Sequence, residues 1–461
     1  MNPPVTRRTF LKTTAAASTL AFPAILRSQP AGTPSPNNRL NVAIIGAGGR
    51  GGAAVTGMLN ENIVAICDVD DERASASLKS IAGKFPEEGK SLATTPRFND
   101  YRKMFDALGN KIDAVTISTP DHTHFPAAMT AMGLGKHVYV EKPLAHTVWE
   151  TRQLTRLAKE KKVITQMGNQ GHTHDGTRLL REWVQAGVLG EVREVVSWTN
   201  RPFYPPWREP IGSFKAPDHS KFLPVVPPTM NWDAWLSVAA PRAYDPAYAP
   251  WKWRGWWDFG TGAFGDVACH IMDGAYWALD LGAPSAVEAM STGATKLATP
   301  SASIVTNYFP ARGQLPPVKY TWSDGSLMPP LPPELEFGRD LPEEAGTLLF
   351  GSKATVLCSF YYETVRIIPE VKMQAMAPSL PPKTIPRVKD GPFAEWILGC
   401  KGGPKPGSSF DYSGPFTEAV LLANVAIRSR RRIEWDSANL KVTNVPEANQ
   451  FVTKEYRPGW M

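Results

Sequence analysis

From residue 40 the chain alternates short apolar runs with longer amphipathic stretches. NVAIIG (41–46), IVAICD (63–68), DAVTIST (113–119), KHVYVE (136–141) and KVITQMG (162–168) read as strands. Between them, DERASASLKSIAGKF and HFPAAMTAMGLG carry helical composition. This rhythm predicts an α/β fold with a parallel, doubly wound sheet, because parallel strands need a crossover element between them. Ligands of such sheets sit outside the carboxyl ends of the strands. The residues at those ends therefore matter most.

The first strand runs into Gly46-Ala47-Gly48-Gly49-Arg50-Gly51, and the second ends at Asp68. A G-x-G-x-x-G string between a strand and a helix, with an acid at the next strand end, predicts dinucleotide binding. Gly46 permits the tight turn, Gly48 close backbone approach to a pyrophosphate, and Gly51 close packing of helix on sheet. Gly49 and Arg50 complete the phosphate loop. Asp68 is expected on the adenosine ribose; with Asp70 and Asp71 it would repel a 2′-phosphate, which favours NAD over NADP despite Arg73. Three later strand ends carry Ser118 to His124, Glu141-Lys142-Pro143 and Met167-Gly168-Asn169-Gln170. Of these, Thr119, Pro120, His124, Glu141, Lys142 and Asn169 are expected to border the cofactor.

Composition changes this picture little. The net charge of +7 is weak evidence for a nucleic-acid partner, since Arg7, Arg8, Lys12 and Arg27 supply four of those charges near the N-terminus. The run RSRRR (428–432) reads as a helix end carrying cations against the dipole. Four widely spaced cysteines (Cys67, Cys269, Cys358, Cys400) form no C-x-x-C pair and are expected as free, buried thiols. TRRTFLK followed by TTAAASTLAFPAIL has a basic region and an apolar stretch too short for a stable membrane span. Its Arg7-Arg8-Thr9-Phe10-Leu11-Lys12 resembles the twin-arginine export consensus. That resemblance implies passage through the twin-arginine translocase as a folded protein, and a periplasmic location. The expected organisation is a signal at 1–31, a linker at 32–39, a dinucleotide domain at 40–170 and a second domain at 171–461.

From residue 40 onward the chain resembles the glucose-fructose oxidoreductase/inositol dehydrogenase (Gfo/Idh/MocA) family. The resemblance rests on the glycine fingerprint, TPDHTH (119–124), EKP (141–143), AGVLGEV (186–192) and GTGAFGDVACHIMD (260–273). It implies a Rossmann domain followed by an α/β domain with an open, mostly antiparallel sheet, whose outer face often supports homo-oligomers. It also implies a catalytic centre of Lys142, Asp266 and His270. The chemistry suits the residue types. Asp266 and His270 share a helix face at a spacing of four; a neutral imidazole can take a hydroxyl proton as hydride leaves the same carbon, and an ammonium can stabilise the oxygen. Glu141 is expected to orient the lysine or backbone. After the strand at 162–168 this chain departs from many relatives, with Asn169-Gln170-Gly171-His172-Thr173-His174. His172 is a candidate substrate ligand. The spacing of His124, His172 and His174 matches no metal signature, and no metal is expected.

WKWRGWWDFG (251–260) places four tryptophans before the Asp266–His270 segment. They either wall a sugar site, with Trp253 and Trp257 as candidates, or form core. The proline- and aromatic-rich stretch 201–250 is expected to be an ordered insertion over the site, and the closing EYRPGW to pack the second domain. Together these features imply an NAD-dependent oxidoreductase acting on a hydroxyl of a sugar, cyclitol or glycoside. An exported enzyme has no nicotinamide pool to draw on, so NAD is expected to stay bound and be recycled within the cycle. The alternatives are a glycosidase working by transient oxidation and elimination, and a non-catalytic sugar-binding relative.

Overall fold

The apolar run Asn41–Ile45 forms β1, which lies between β2 (Asn62–Cys67) and β4 (Ala114–Ile117). The computed structural model describes residues 38–202, 217–218 and 223–460. The expected export segment and the FYPPW part of the insertion (203–207) lie outside them. With β3 (Arg97–Phe98), β5 (His137–Val140) and β6 (Thr165–Met167), the first sheet has the order β3-β2-β1-β4-β5-β6. Every pairing in it is parallel. Strand order reverses between β1 and β4, so the loops after these strands diverge and leave a crevice. β3 was not among the expected strands; two residues long, it is a strand through its pairing with β2.

Alternate residues of β1 face opposite layers. Val42 and Ile44 pack with Val55, Leu78 and Ile81, and Ala43 and Ile45 with Met104, Phe105 and Phe125. The first layer is completed from far along the chain: Trp396, on the helix Gly391–Cys400, packs against Tyr139, and Phe393 stacks on the same ring at 4.4 Å. A segment well beyond residue 170 therefore covers the first sheet.

Two glycines shape the crevice. Gly46 has φ +83°, open to glycine at little cost. A Cβ on Gly51 would lie 1.9 Å from the Gly46 carbonyl oxygen. The helix Gly51–Gly57 can thus sit against the end of β1 only because residue 51 has no side chain.

The second sheet is built from β7 (Val192–Thr199), β8 (Ala286–Thr292), β9 (Ala302–Phe309), β10 (Val318–Ser323), β11 (Ala345–Gly351), β12 (Thr355–Cys358), β13 (Val365–Ile368), β14 (Ile433–Asp436) and β15 (Lys441–Val442). Its order is β13-β12-β11-β7-β10-β9-β8-β14-β15, antiparallel except where β7 meets β10. The helix Phe410–Ser429 is apolar on most sides because it is enclosed: it packs on Val148–Lys161 from the Ala43 and Ile45 side of the first sheet, on Gly262–Ile271 and on β8. That shared helix fixes Gly262–Ile271 against the strand ends of the first sheet.

The closing segment differs from expectation. EYRPGW packs on the dinucleotide-binding half, with Tyr456 against Phe125 and Trp149 and Trp460 against Arg102.

Candidate active site

The strand ends open onto a cavity of about 430 Å³, lined by residues from both halves of the chain. Because β2 and β5 lie on opposite sides of the switch point, Asp68 marks one end of it and Lys142 the other.

At the Asp68 end, the carboxylate braces the glycine loop. Its Oδ2 accepts the backbone N–H of Ala47 at 2.8 Å and of Gly48 at 3.0 Å, and its Oδ1 accepts that of Asp70 at 3.0 Å. Burial pushes the Asp68 pKa up, and these backbone donors pull against it. Gly46, Gly48, Gly49, Arg50, Thr119 and Pro120 line the same wall. The hydroxyls of Ser118 and Thr119, both in the lining, are buried without a hydrogen-bond partner. A glycine-rich loop, a strand-end carboxylate and two unsatisfied hydroxyls suit a dinucleotide's phosphates and ribose hydroxyls.

At the other end, Lys142 Nζ donates to Asp266 Oδ1 at 2.6 Å and to the Asp266 carbonyl at 2.7 Å. Arg254 Nε lies 3.5 Å from the same carboxylate oxygen. One turn further along Gly262–Ile271, His270 is buried, its Nδ1 has no partner, and its ring meets Tyr361 edge-on at 5.1 Å. Burial above all, then the Lys142 charge, holds the His270 pKa well below the usual 6.5; the opposing pull of Asp266 is smaller. The imidazole is therefore neutral at neutral pH and can accept a proton.

The helix carrying this pair is moored at both ends. Asp121 Oδ2 accepts the Thr261 hydroxyl at 2.6 Å and the Thr261 N–H at 3.1 Å, tying the start of Asp121–Gly133 to the start of Gly262–Ile271. Burial pushes the Asp121 carboxyl up to about 7 despite those bonds. Beyond the helix's far end, Asp273 accepts the Tyr412 hydroxyl at 2.6 Å and lies 3.1 Å from His172 Nδ1.

Several expected site residues lie elsewhere. Gly51 underlies the loop without lining the cavity. His124 falls in the first turn of Asp121–Gly133, which begins three residues before the expected helical run, and its ring turns inward. Its Nδ1 lies 2.8 Å from the Pro143 carbonyl and its Nε2 2.9 Å from that of Thr119, so it braces two site loops from behind. Asn169 is buried with Oδ1 accepting from Ser408 at 2.5 Å. His172 is turned onto Asp273 between Trp277 and Tyr412. Trp257 belongs to the main core, its indole N–H donating to the Thr295 carbonyl at 3.1 Å. Asn169, His172 and Trp257 are each claimed by a partner distant in sequence. Glu141 lines the cavity but holds Arg50, at 2.9 Å, rather than Lys142. Trp253 does line it, under the Arg254 guanidinium at 4.2 Å.

Arg254, Tyr361, Asp121, Met230 and Trp460 also line the cavity and were not among the expected site residues. Arg254 sits inside the tryptophan-rich string, which was the available signal; Tyr361 and Trp460 had none. The described part of the insertion borders the cavity through Met230, Ala234, Trp235 and Pro250. Among the described residues, no group of three His, Cys, Asp or Glu could hold a metal, and no helix is long and apolar enough to cross a membrane. Cys67, Cys269 and Cys358 are free and buried, and Cys400 is free and half-buried.

A glycine loop, a strand-end acid and a Lys-Asp-His group thus meet in one cavity at the strand ends of a Rossmann-type sheet. Residues 40–169 match the family model described as "Oxidoreductase family, NAD-binding Rossmann fold", and 213–302 match "Oxidoreductase family, C-terminal alpha/beta domain". Both models are of the Gfo/Idh/MocA oxidoreductase family, to which these two segments are similar. A "Glycosyl hydrolase family 109 protein" of Saccharopolyspora erythraea is 30% identical over 212 residues, covering 41% of this chain and 44% of that protein. A "UDP-N-acetylglucosamine 3-dehydrogenase" of Acidithiobacillus ferrooxidans is 33% identical over 132 residues, covering 28% and 41%. The chain thus spans less than half the length of these curated relatives. The WlbA dehydrogenase of Chromobacterium violaceum, solved with NADH and UDP-GlcNAcA, shares the fold at a TM-score of 0.57 and 17% identity, over 88% of this chain and 98% of that one.

Proposed function

We propose that this protein is an NAD-dependent oxidoreductase that oxidises a hydroxyl-bearing carbon of a sugar, cyclitol or glycoside. The observation that carries the proposal is the meeting of Lys142, Asp266 and neutral His270 in the cavity that the glycine loop also lines. NAD, when bound, supplies the hydride acceptor. His270 takes the substrate's hydroxyl proton, which together with loss of hydride from the carbon leaves a carbonyl. Lys142 has three N–H donors and spends two on Asp266, so the third is available to the reacting oxygen. Asp266 fixes that ammonium, and Trp253 gives an aromatic face for a sugar's C–H groups. The sugar class is supported by the dehydrogenase relative and by the sugar nucleotide bound in the WlbA structure.

We further infer that NAD stays bound through the cycle and returns its hydride either to a second substrate or to the same one. The glycoside hydrolase relative supports the second course, in which transient oxidation assists elimination; Lys142 supports the first. The test is to add a panel of sugars to the purified protein and follow the near-ultraviolet band of reduced nicotinamide. A persistent band supports the two-substrate oxidoreductase, and sugar cleavage without net reduction supports the eliminative course. No spectral change and no product across the panel would sink both and leave a non-catalytic relative.

The paired Arg7 and Arg8 support export of the folded, NAD-loaded protein to the periplasm. Changing both to lysine is expected to leave the protein in the cytoplasmic fraction of the producing cell. Equal periplasmic recovery of the two forms would refute twin-arginine export.

A further inference from the structure

The Asp68 end of the cavity has walls that the dinucleotide-binding fold does not supply. The backbone after β2 is paired by a strap from the insertion. Asp71 N–H donates to the Thr229 carbonyl at 3.0 Å and Asn231 N–H to the Val69 carbonyl at 2.7 Å, making an antiparallel bridge between Asp70 and Met230. Asn231 then caps the short helix Trp232–Leu236, its Oδ1 accepting the Ala234 N–H at 3.0 Å. The tail locks this helix from outside. Arg457 donates to Asp233 Oδ1 at 2.6 Å, to the Asp233 carbonyl at 2.8 Å and to the Ser237 carbonyl at 2.7 Å.

Trp460 follows and lies between two guanidinium groups, with Arg102 at 3.6 Å and Arg457 at 4.8 Å from its ring. Arg102 also donates to the Gly459 carbonyl at 2.8 Å and is paired with Asp100 at 2.6 Å. The result is a continuous set of contacts from the Asp68 loop through the strap to the tail and back to the helix after β3. Met230, Trp235 and Trp460, each less than a tenth exposed, present its inner side to the cavity.

We propose that the Thr229–Asn231 strap and the Arg457–Trp460 tail form a clasp over the adenosine half of the NAD site, with Met230, Trp235 and Trp460 as its inner wall. The proposal rests on NAD being the ligand, as argued above. Its physical content is kinetic. A dinucleotide enclosed by these groups leaves only when the tail and strap open locally, so the exchange rate follows the stability of the clasp rather than the strength of the phosphate contacts alone. The Asp233 carboxylate is 73% exposed, so its ion pair with Arg457 adds little. The carbonyl hydrogen bonds of Arg457 and the two cation–π contacts of Trp460 hold the clasp shut.

The test uses the full-length protein as purified. Nicotinamide released on denaturation is identified by mass spectrometry, and exchange of bound cofactor is timed against excess fluorescent etheno-NAD. Trp460→Ala and Arg457→Met are each expected to exchange at least about tenfold faster than the parent, with the circular-dichroism spectrum unchanged. Phe337→Ser, at a fully exposed site, is the control and is expected to exchange at the parent rate. If either variant fails to fold, Arg457→Lys, which keeps the charge but loses the planar fork across the Asp233 and Ser237 carbonyls, is expected to give a smaller acceleration. Tight NAD binding with equal exchange rates in parent and folded variants overturns the clasp alone. No NAD in the purified protein and no etheno-NAD binding overturns the cofactor reading and the clasp with it.

Discussion

Replacing Lys142 with methionine is expected to lower kcat about 10²- to 10³-fold, the usual loss when one preorganised donor to a developing oxyanion is removed. The effect should fall on kcat rather than on cofactor content. Lys142 lies at the end of β5, across the switch point from the glycine loop and Asp68, so the adenosine half of the site keeps its contacts. The lost ammonium is also the partner of Asp266 at 2.6 Å, which leaves that carboxylate with Arg254 at 3.5 Å among its partners. Lys142→Arg should not restore the rate, because a planar fork cannot place one donor on the substrate oxygen while keeping both bonds to Asp266. Steady-state kinetics with cofactor content measured on the same sample checks this. A Lys142→Met protein within about twofold of the parent in kcat would remove Lys142 from the mechanism.

His270→Asn is expected to cost about 10²- to 10⁴-fold in kcat/KM, the range for loss of a positioned general base. It should also change the pH profile. As the proposed base, His270 works in its neutral form, and burial with the nearby Lys142 charge holds its pKa well below 6.5. The parent should therefore keep its activity as pH falls through 6.5 and lose it only at lower pH, while the residual activity of the variant lacks that acid limb. Stability carries the same sign. A depressed imidazole pKa in the fold means that the unfolded chain binds more protons, so this contribution is present above pH 6.5 and is lost as pH falls towards the folded value. His122, His124 and His146 are lowered by burial too, so only the difference between parent and variant isolates His270. Melting curves across that range should show the variant gaining relative to the parent on acidification. An acid limb that survives His270→Asn would assign the base elsewhere.

Much of this site was legible in the chain because its parts are local. Gly46, Gly48 and Gly51 act within one turn, and Asp266 and His270 share a face through helical spacing alone. Lys142 is placed by the strand it ends. The histidines show where locality stops. His124 and His172 carry the same chemistry as His270, yet one is turned onto two loop carbonyls and the other onto Asp273. Nothing in the neighbouring residues announces Asp273 or Pro143 as a partner. Glu141 was misread for the same reason, since Arg50 reaches it from the glycine loop, 91 residues away.

By itself, then, the sequence determined the α/β alternation, the parallel first sheet and the glycine loop, and it singled out Lys142, Asp266 and His270, which the fold brings to one cavity. Backbone periodicity and turn chemistry act over a few residues and repeat in recognisable spacings. Only the tertiary structure decided which polar groups face the cavity, and that Arg254, Tyr361 and Trp460 join its lining. Those outcomes depend on which distant carbonyl, carboxylate or ring satisfies each buried group, and that pairing is made by packing across the fold rather than along the chain.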